Sequence, residues 1–287
     1  MSATPIGAIR SDRAPDYTDA PLADTMGLRG IDELIFPAVV AHRGAPVGEP
    51  ENTLPSFEAA VAVGADAVEF DVHLTADGHA VVMHDSDVSW TTDGHGLIEE
   101  LSFAQVRALI ATGVPGVRAG VPSLEETLGA LSGRAGADIE IKAQDAADGP
   151  GVRRCADEVV RLLDELPFEG PVLVTSFNPF ALARVRAVRP VLDTGLLVAG
   201  SVDPGVMRDA RHDGHRAVLP SVVELERGGE ALVRAGHDEG LRVMTWTVDE
   251  PGRMERLFGW GVDAVVSNDP AAAIPVRDAA RAARRQP

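Results

Sequence analysis

The sequence predicts an α/β chain folded as a single βα barrel, and three observations predict it. Short apolar runs alternate with helix-length amphipathic stretches, the pattern of βα units on a parallel sheet. Side chains suited to catalysis stand at the ends of successive strand candidates, and a barrel gathers such ends on one face. A chain of 287 residues is long enough to bury one large core.

Residues 1–36 carry Pro5, Pro15, Pro21 and scattered Asp without sustained periodicity. They read as an N-terminal extension, with a short helix near Ile31 to Leu34, ahead of a barrel domain over residues 37–287. The first strand is expected at 38–41 and the first helix at 54–63. Thr53 is placed to cap that helix, Pro55 suits its first turn, and Gly64 can end it. Further strands are expected at 67–72, 80–83, 138–141, 172–175, 195–198, 217–220, 242–247 and 263–266. Helix-length stretches lie at 152–166, 179–188 and 230–239.

Two features break the alternation. Only Thr75-Ala76-Asp77-Gly78 joins the second and third strand candidates. Asp-Gly signals a tight hairpin turn, whereas a parallel pair needs about a dozen connecting residues or more. The segment 217–220 is a ninth candidate, one beyond an eight-stranded barrel. The sequence leaves both points open. An insertion of about residues 86–122 follows, containing its own small helix marked by Ser102 and Gln105. It ends where Ser123 and Glu126 form a capping box. In a barrel it lies on the active-site face.

The formal net charge is −18. Such a surface repels polyanions, so nucleic acid and anionic membrane are not expected partners. An anionic substrate must then be held by a metal or by a few local cations. Cys155 is the only cysteine, which rules out an intrachain disulfide and a thiolate zinc site. No stretch approaches the roughly 20 apolar residues of a membrane span, and the first residues lack a basic start and apolar run. The expected location is the cytoplasm, without stable membrane insertion; the sequence sets no oligomeric state. Lys142 is the only lysine among 26 basic residues, which is either chance or the mark of a place where a compact ammonium is needed.

Four strand ends carry the chemistry: His42-Arg43-Gly44, Glu69-Phe70-Asp71, His84-Asp85 and Glu140-Ile141-Lys142. Residues two apart on a strand share a face, so Glu69 pairs with Asp71 in direction, and Glu140 with Lys142. Buried carboxylates are costly unless paired or metal-bound. Three acids directed into one barrel require a cation, and all-oxygen ligation suits a hard ion, Mg2+ or Ca2+. Protonated Lys142 cannot ligate a metal, but it can hold an anionic group beside one. Taken singly, Glu69-x-Asp71 also describes the solvated face of an edge strand, and Glu140-x-Lys142 a surface ion pair. Their occurrence together at successive strand ends favours a site. His73 falls on the face of Asp71 and reads as a support. His79, His95, His212, His215 and His237 read as solvated, and Trp260 as packing.

These residues resemble the glycerophosphodiester phosphodiesterases. The resemblance runs from about Val39 to Pro270. It rests on Ala41-His42-Arg43-Gly44, Pro50-Glu51-Asn52-Thr53, Glu69-Phe70-Asp71, His84-Asp85 and Glu140-Ile141-Lys142 in that order. Thr91-Thr92-Asp93-Gly94, Trp246-Thr247-Val248-Asp249 and the segment 261–270 add to it. The resemblance implies a TIM (β/α)8 barrel with a small insertion after the third strand. It implies general base and acid roles for His42 and His84, and a divalent cation on Glu69, Asp71 and Glu140. It places Arg43 and Lys142 on the phosphate, Trp246 on the glycerol side, and Glu51 in support. Two departures stand out. Trp90 occupies a position where the family often has arginine. The last strand ends Ser267-Asn268-Asp269-Pro270 where Thr-Asp-Xaa-Pro is common. Both bear on leaving-group recognition, and neither is expected to touch the catalytic set.

The implied reaction releases glycerol 3-phosphate and an alcohol from a small glycerophosphodiester. One histidine takes a proton from the attacking hydroxyl and the other gives one to the leaving alkoxide. The attacker is water or a glycerol hydroxyl of the substrate; the sequence does not choose. A lysophospholipase D-like enzyme keeps the same catalytic set and adds an apolar groove. A silent phospho-ligand-binding barrel does not need a paired acid and base. A nuclease is disfavoured by the acidic surface.

Overall fold

The computed structural model describes residues 29–142 and 148–285. Most of the expected N-terminal extension, residues 1–28, lies outside the described residues. The chain enters through a 3-10 turn at Ile31–Glu33 and runs into β1 (Ala38–His42), α1 (Leu54–Val63), β2 (Ala67–Leu74) and β3 (Ala80–Val82). The insertion contributes α2 (Phe103–Arg107), β4 (Ile110–Ala111) and β5 (Ala119–Gly120). Then come α3 (Leu124–Leu131), β6 (Gly136–Ile141), α4 (Pro150–Glu165), β7 (Val172–Ser176), α5 (Pro179–Val188) and β8 (Asp193–Val198). The remainder is α6 (Pro204–His212), β9 (Ala217–Pro220), α7 (Val222–Asp238), β10 (Arg242–Thr245), α8 (Pro251–Gly259), β11 (Ala264–Ser267) and α9 (Pro270–Arg284).

Local chemistry explains the helix starts. The Thr53 side chain accepts from the Ser56 N–H, with Pro55 in the first turn and Gly64 left-handed at the end of α1. Ser102 and Ser123 each close a reciprocal capping box, with Gln105 and Glu126. The helix expected at 230–239 is the second half of α7, which begins at Val222. Gly229, at φ 60° and ψ −161°, breaks its helical path and hid the first half from a periodicity argument.

Strands β1, β2, β6, β7, β8, β9, β10 and β11 are parallel neighbours, and β11 closes onto β1. This is a TIM barrel. The surplus strand is therefore the third candidate, not the segment 217–220. Strand β3 pairs antiparallel with the tail of β2, Val72 opposite Val82 and Leu74 opposite Ala80. A four-residue connection permits no parallel crossover, so the segment folds back as a hairpin outside the barrel.

The barrel interior is apolar at the N-terminal end of its strands. Ala38, Val40, Ala67, Ala217, Leu219 and Ala264 pack there, and Ile31 enters from the preceding turn. His215, expected in solvent, is buried as well, its Nδ1 2.9 Å from Thr194 Oγ1. The turn after α6 feeds straight into β9, so its ring packs on β8. Burial and the nearby Arg186 push its imidazole down to about 4. The insertion has a core of its own, with Val88, Ile98, Val106 and Val121 packed on Val81 and Met83.

Candidate active site

Parallel register assembles the acidic cluster. Across β1 and β2, His42 is level with Glu69. Across β2 and β6, Glu69 is level with Asp138 and Asp71 with Glu140. Glu69, Asp71 and Glu140 are all buried, and each offers an oxygen within 4.8 Å of the others. Sequence alternation thus places these three acids together, at the C-terminal end of the barrel. It also adds Asp138, level with Glu69, which accepts from Thr175 Oγ1 at 2.8 Å.

Burial and mutual repulsion make this cluster electrostatically unbalanced. Burial, with Asp71 and Glu140 close by, raises the Glu69 carboxyl well above its ordinary value. Burial and Asp71 push Glu140 up to about 7. Burial likewise pushes Asp138 to about 7, with Glu140 and Asp71 adding to it against the Thr175 hydrogen bond. Asp71 goes the other way: burial alone would raise it, but Lys142 and Arg43 bring it to about 2. Glu69 Oε1 is buried without a hydrogen-bond partner among the described residues. An orphaned oxygen and three carboxyls held above their normal range fit the binding of a cation. A hard divalent ion, ligated by carboxylate oxygen, suits this donor set.

Two cations frame the acids. The Lys142 ammonium lies 3.0 Å from Asp71 Oδ1 and 2.7 Å from Glu140 Oε1. Arg43 is left-handed, φ 55°, a conformation non-glycine residues seldom take. There its backbone N–H donates to Glu69 Oε2 at 3.0 Å. Its guanidinium reaches Glu51 Oε1 at 2.9 Å and lies 3.3 Å from Asp71 Oδ2. Glu51 therefore acts on the cluster through Arg43. Asn52, also left-handed at φ 55°, donates from Nδ2 to Asp71 Oδ2 at 2.7 Å and accepts the Asp71 N–H at 3.3 Å.

The histidines flank the cluster. His42 Nε2 lies 3.9 Å from Glu69 Oε2, and its Nδ1 lies 2.6 Å from Asn268 Oδ1. Burial and the Arg43 guanidinium push the His42 imidazole down to about 4. His84 Nδ1 lies 3.0 Å from Asp85 Oδ1. The buried ring of His73 lies 3.0 Å by Nε2 from the His84 carbonyl, which accepts from it. Asn268 overturns one expectation: the departure in the last strand does touch the histidine pair. The ends of β1 and β11 are adjacent around the barrel, so a residue just past β11 meets one at the end of β1.

Trp246 lies on the rim, its Nε1 donating to the Leu219 carbonyl at 2.8 Å. Phe177, from the end of β7, meets it edge-on with ring centres 5.3 Å apart. A crevice between barrel and insertion is lined by Glu51, Asn52, His84, Thr91 and Thr92. Thus His42, Arg43, Glu51, Glu69, Asp71, His84, Glu140 and Lys142 converge, with Trp246 on the rim. Asn52, Asp138 and Asn268 were missed. The available signal was position alone, because Asn52 sits beside Glu51 and Asn268 just past a strand end.

The chain matches the sequence profile of the Glycerophosphoryl diester phosphodiesterase family over residues 42–272. It is 33% identical over 243 residues to a glycerophosphodiester phosphodiesterase of Caldanaerobacter subterraneus subsp. tengcongensis, covering 81% of this chain and 94% of that one. A glycerophosphodiester phosphodiesterase of Bacillus subtilis is 30% identical over 245 residues, covering 80% and 83%. The structure of an Oleispira antarctica phosphodiesterase, in complex with the product sn-glycerol-3-phosphate, superposes with a TM-score of 0.76 at 28% identity. That match covers 85% of this chain and 97% of the other.

Proposed function

Because the chain belongs to the glycerophosphoryl diester phosphodiesterase family and so hydrolyses glycerophosphodiesters, we propose residue roles for that reaction. Glu69, Asp71 and Glu140 hold one divalent cation, Mg2+ or Ca2+. His42 and His84 carry the proton transfers, and Arg43 and Lys142 receive the phosphate. The observation that carries this reading is the burial of three carboxylates within 4.8 Å of one another, between two histidines and two cations.

When bound, the cation supplies Lewis-acid stabilisation of the charge that grows on the phosphoryl oxygens. Arg43 and Lys142 add preorganised positive charge to the same oxygens and overcome the repulsion of a strongly acidic protein. Glu51 holds the guanidinium of Arg43 in place, and Asn52 holds Asp71. Trp246, packed edge-on against Phe177, offers an apolar wall to the glycerol carbons. One histidine takes the proton of the attacking hydroxyl and the other protonates the departing alkoxide, leaving glycerol 3-phosphate and a free alcohol.

The test is release of glycerol 3-phosphate from glycerophosphocholine, with EDTA and then with added Mg2+ or Ca2+. Release that EDTA abolishes and metal restores is expected, together with loss of about 10²-fold or more in His42→Ala and in His84→Ala. Undiminished turnover in either variant, or in EDTA, would overturn these assignments.

A further inference from the structure

Beyond the acids and histidines, one contact chain reaches the site from the far end of the sequence. Asp249, just past β10, accepts three hydrogen bonds. Its Oδ1 accepts from Ser267 Oγ at 3.0 Å and from the Asn268 backbone N–H at 2.7 Å. Its Oδ2 accepts from Asn268 Nδ2 at 2.8 Å. A carboxylate only accepts, so the amide must present its NH2 to Asp249. The Asn268 oxygen is thereby turned away from Asp249 and toward His42 Nδ1, 2.6 Å distant. An amide oxygen also only accepts. Nδ1 must therefore carry the hydrogen, and in the neutral ring Nε2 keeps its lone pair. Nε2 is the nitrogen that faces the acidic cluster, 3.9 Å from Glu69 Oε2.

We propose that Asn268, locked in orientation by Asp249, is a positioning residue that fixes the tautomer of His42, so that Nε2 accepts the proton of the attacking hydroxyl. This rests on the reading of His42 as one of the two proton-transfer groups and deepens it. His84 is held differently, with a carboxylate oxygen of Asp85 on its Nδ1. With His42 Nε2 as the acceptor, His84 is left as the group that donates to the leaving alkoxide.

The arrangement can be inverted by changing one atom. In Asp249→Asn, the new amide keeps its oxygen for Ser267 and the Asn268 N–H and presents NH2 where Oδ2 stood. Asn268 must then flip to offer its oxygen, turning its own NH2 toward His42. Nδ1 becomes an acceptor and Nε2 takes the hydrogen, the wrong tautomer for a base. The double variant Asp249→Asn/Asn268→Asp restores the pattern: the amide donates to the carboxylate, which accepts from Nδ1.

The experiment uses the full chain labelled with 15N-histidine. The His42 signals are identified by their loss in His42→Gln, and kcat and KM for glycerophosphocholine are measured in parallel with metal added. The wild type is expected to show Nδ1–H with Nε2 unprotonated. Asp249→Asn is expected to reverse this, with kcat lower by about 10²-fold or more and KM little changed. The double variant is expected to regain the wild-type tautomer and most of the turnover. A wild type protonated at Nε2 would overturn the proposal. So would an Asp249→Asn protein that keeps both the original tautomer and full kcat. Turnover surviving in His42→Ala would instead remove His42 from the reaction, so the two failures are told apart.

Discussion

Lys142 shows how single residues divide the labour. Its ammonium sits between Asp71 and Glu140. With Arg43 it keeps Asp71 ionised, pulling its carboxyl to about 2. The same cations do not suffice for the other two acids, since Glu140 is held at about 7 and Glu69 well above its ordinary value. A metal held by the three acids as proposed needs them ionised, so its binding competes with protonation of the raised carboxyls. The sign follows: metal affinity is greatest above pH 7 and falls as pH drops through the raised carboxyl values. Each proton released costs about 1.4 kcal/mol of binding per pH unit. Calorimetric titration with Mg2+ or Ca2+ from pH 8 to pH 6 should show affinity falling at least tenfold. It should also show a heat that depends on the buffer's own ionisation. A constant affinity across that range would mean the acids are already ionised in the metal-free protein.

At the scale of elements, caps were legible and pairings were not. Thr53, Ser102 and Ser123 announce their helices, because a cap is a contact over three residues. The hairpin of β2 and β3 stayed open beside a ninth barrel strand: Asp77-Gly78 marked the turn, but both readings are short apolar runs and the pairing decides between them. The site divides the same way. Glu69, Asp71, Glu140 and Lys142 follow from strand alternation alone, whereas Asn268 meets His42 across 226 positions of sequence. No local pattern carries such a contact. The insertion illustrates a consequence of element packing. Its buried Ile98 rests with Val88, Val106 and Val121 on the outside of the hairpin, and Thr91 and Thr92 share a crevice with His84. Ile98→Ala leaves a cavity costing about 2–4 kcal/mol. Because that core is separate from the barrel's, hydrogen exchange should quicken across residues 86–122 while β7 to β10 keep their protection. KM should rise as the crevice loosens. Uniform loss of protection would show instead that the insertion and barrel unfold as one.

For the whole molecule, charge sets the terms of encounter. The net charge of −18 surrounds a site that must admit a phosphodiester. Arg43 and Lys142 are the cations at its centre, and both are already paired with acids. Attraction is thus confined to the last few ångströms, while the field at a distance repels. Salt screens the distant term first, since the Debye length falls from about 30 Å at 0.01 M to about 8 Å at 0.15 M. The buried contacts at the barrel mouth are screened much less. Raising ionic strength over that range should therefore increase kcat/KM for a monoanionic diester such as glycerophosphoglycerol, by about two- to fivefold. The zwitterionic glycerophosphocholine, neutral overall, should change little, and kcat should hold for both because the bound state lies where salt screens little. The comparison of the two substrates removes any effect of salt on the enzyme itself. A fall in kcat/KM for the anion alone would mean that the positive groups at the mouth reach out beyond the acidic surface and steer the substrate in.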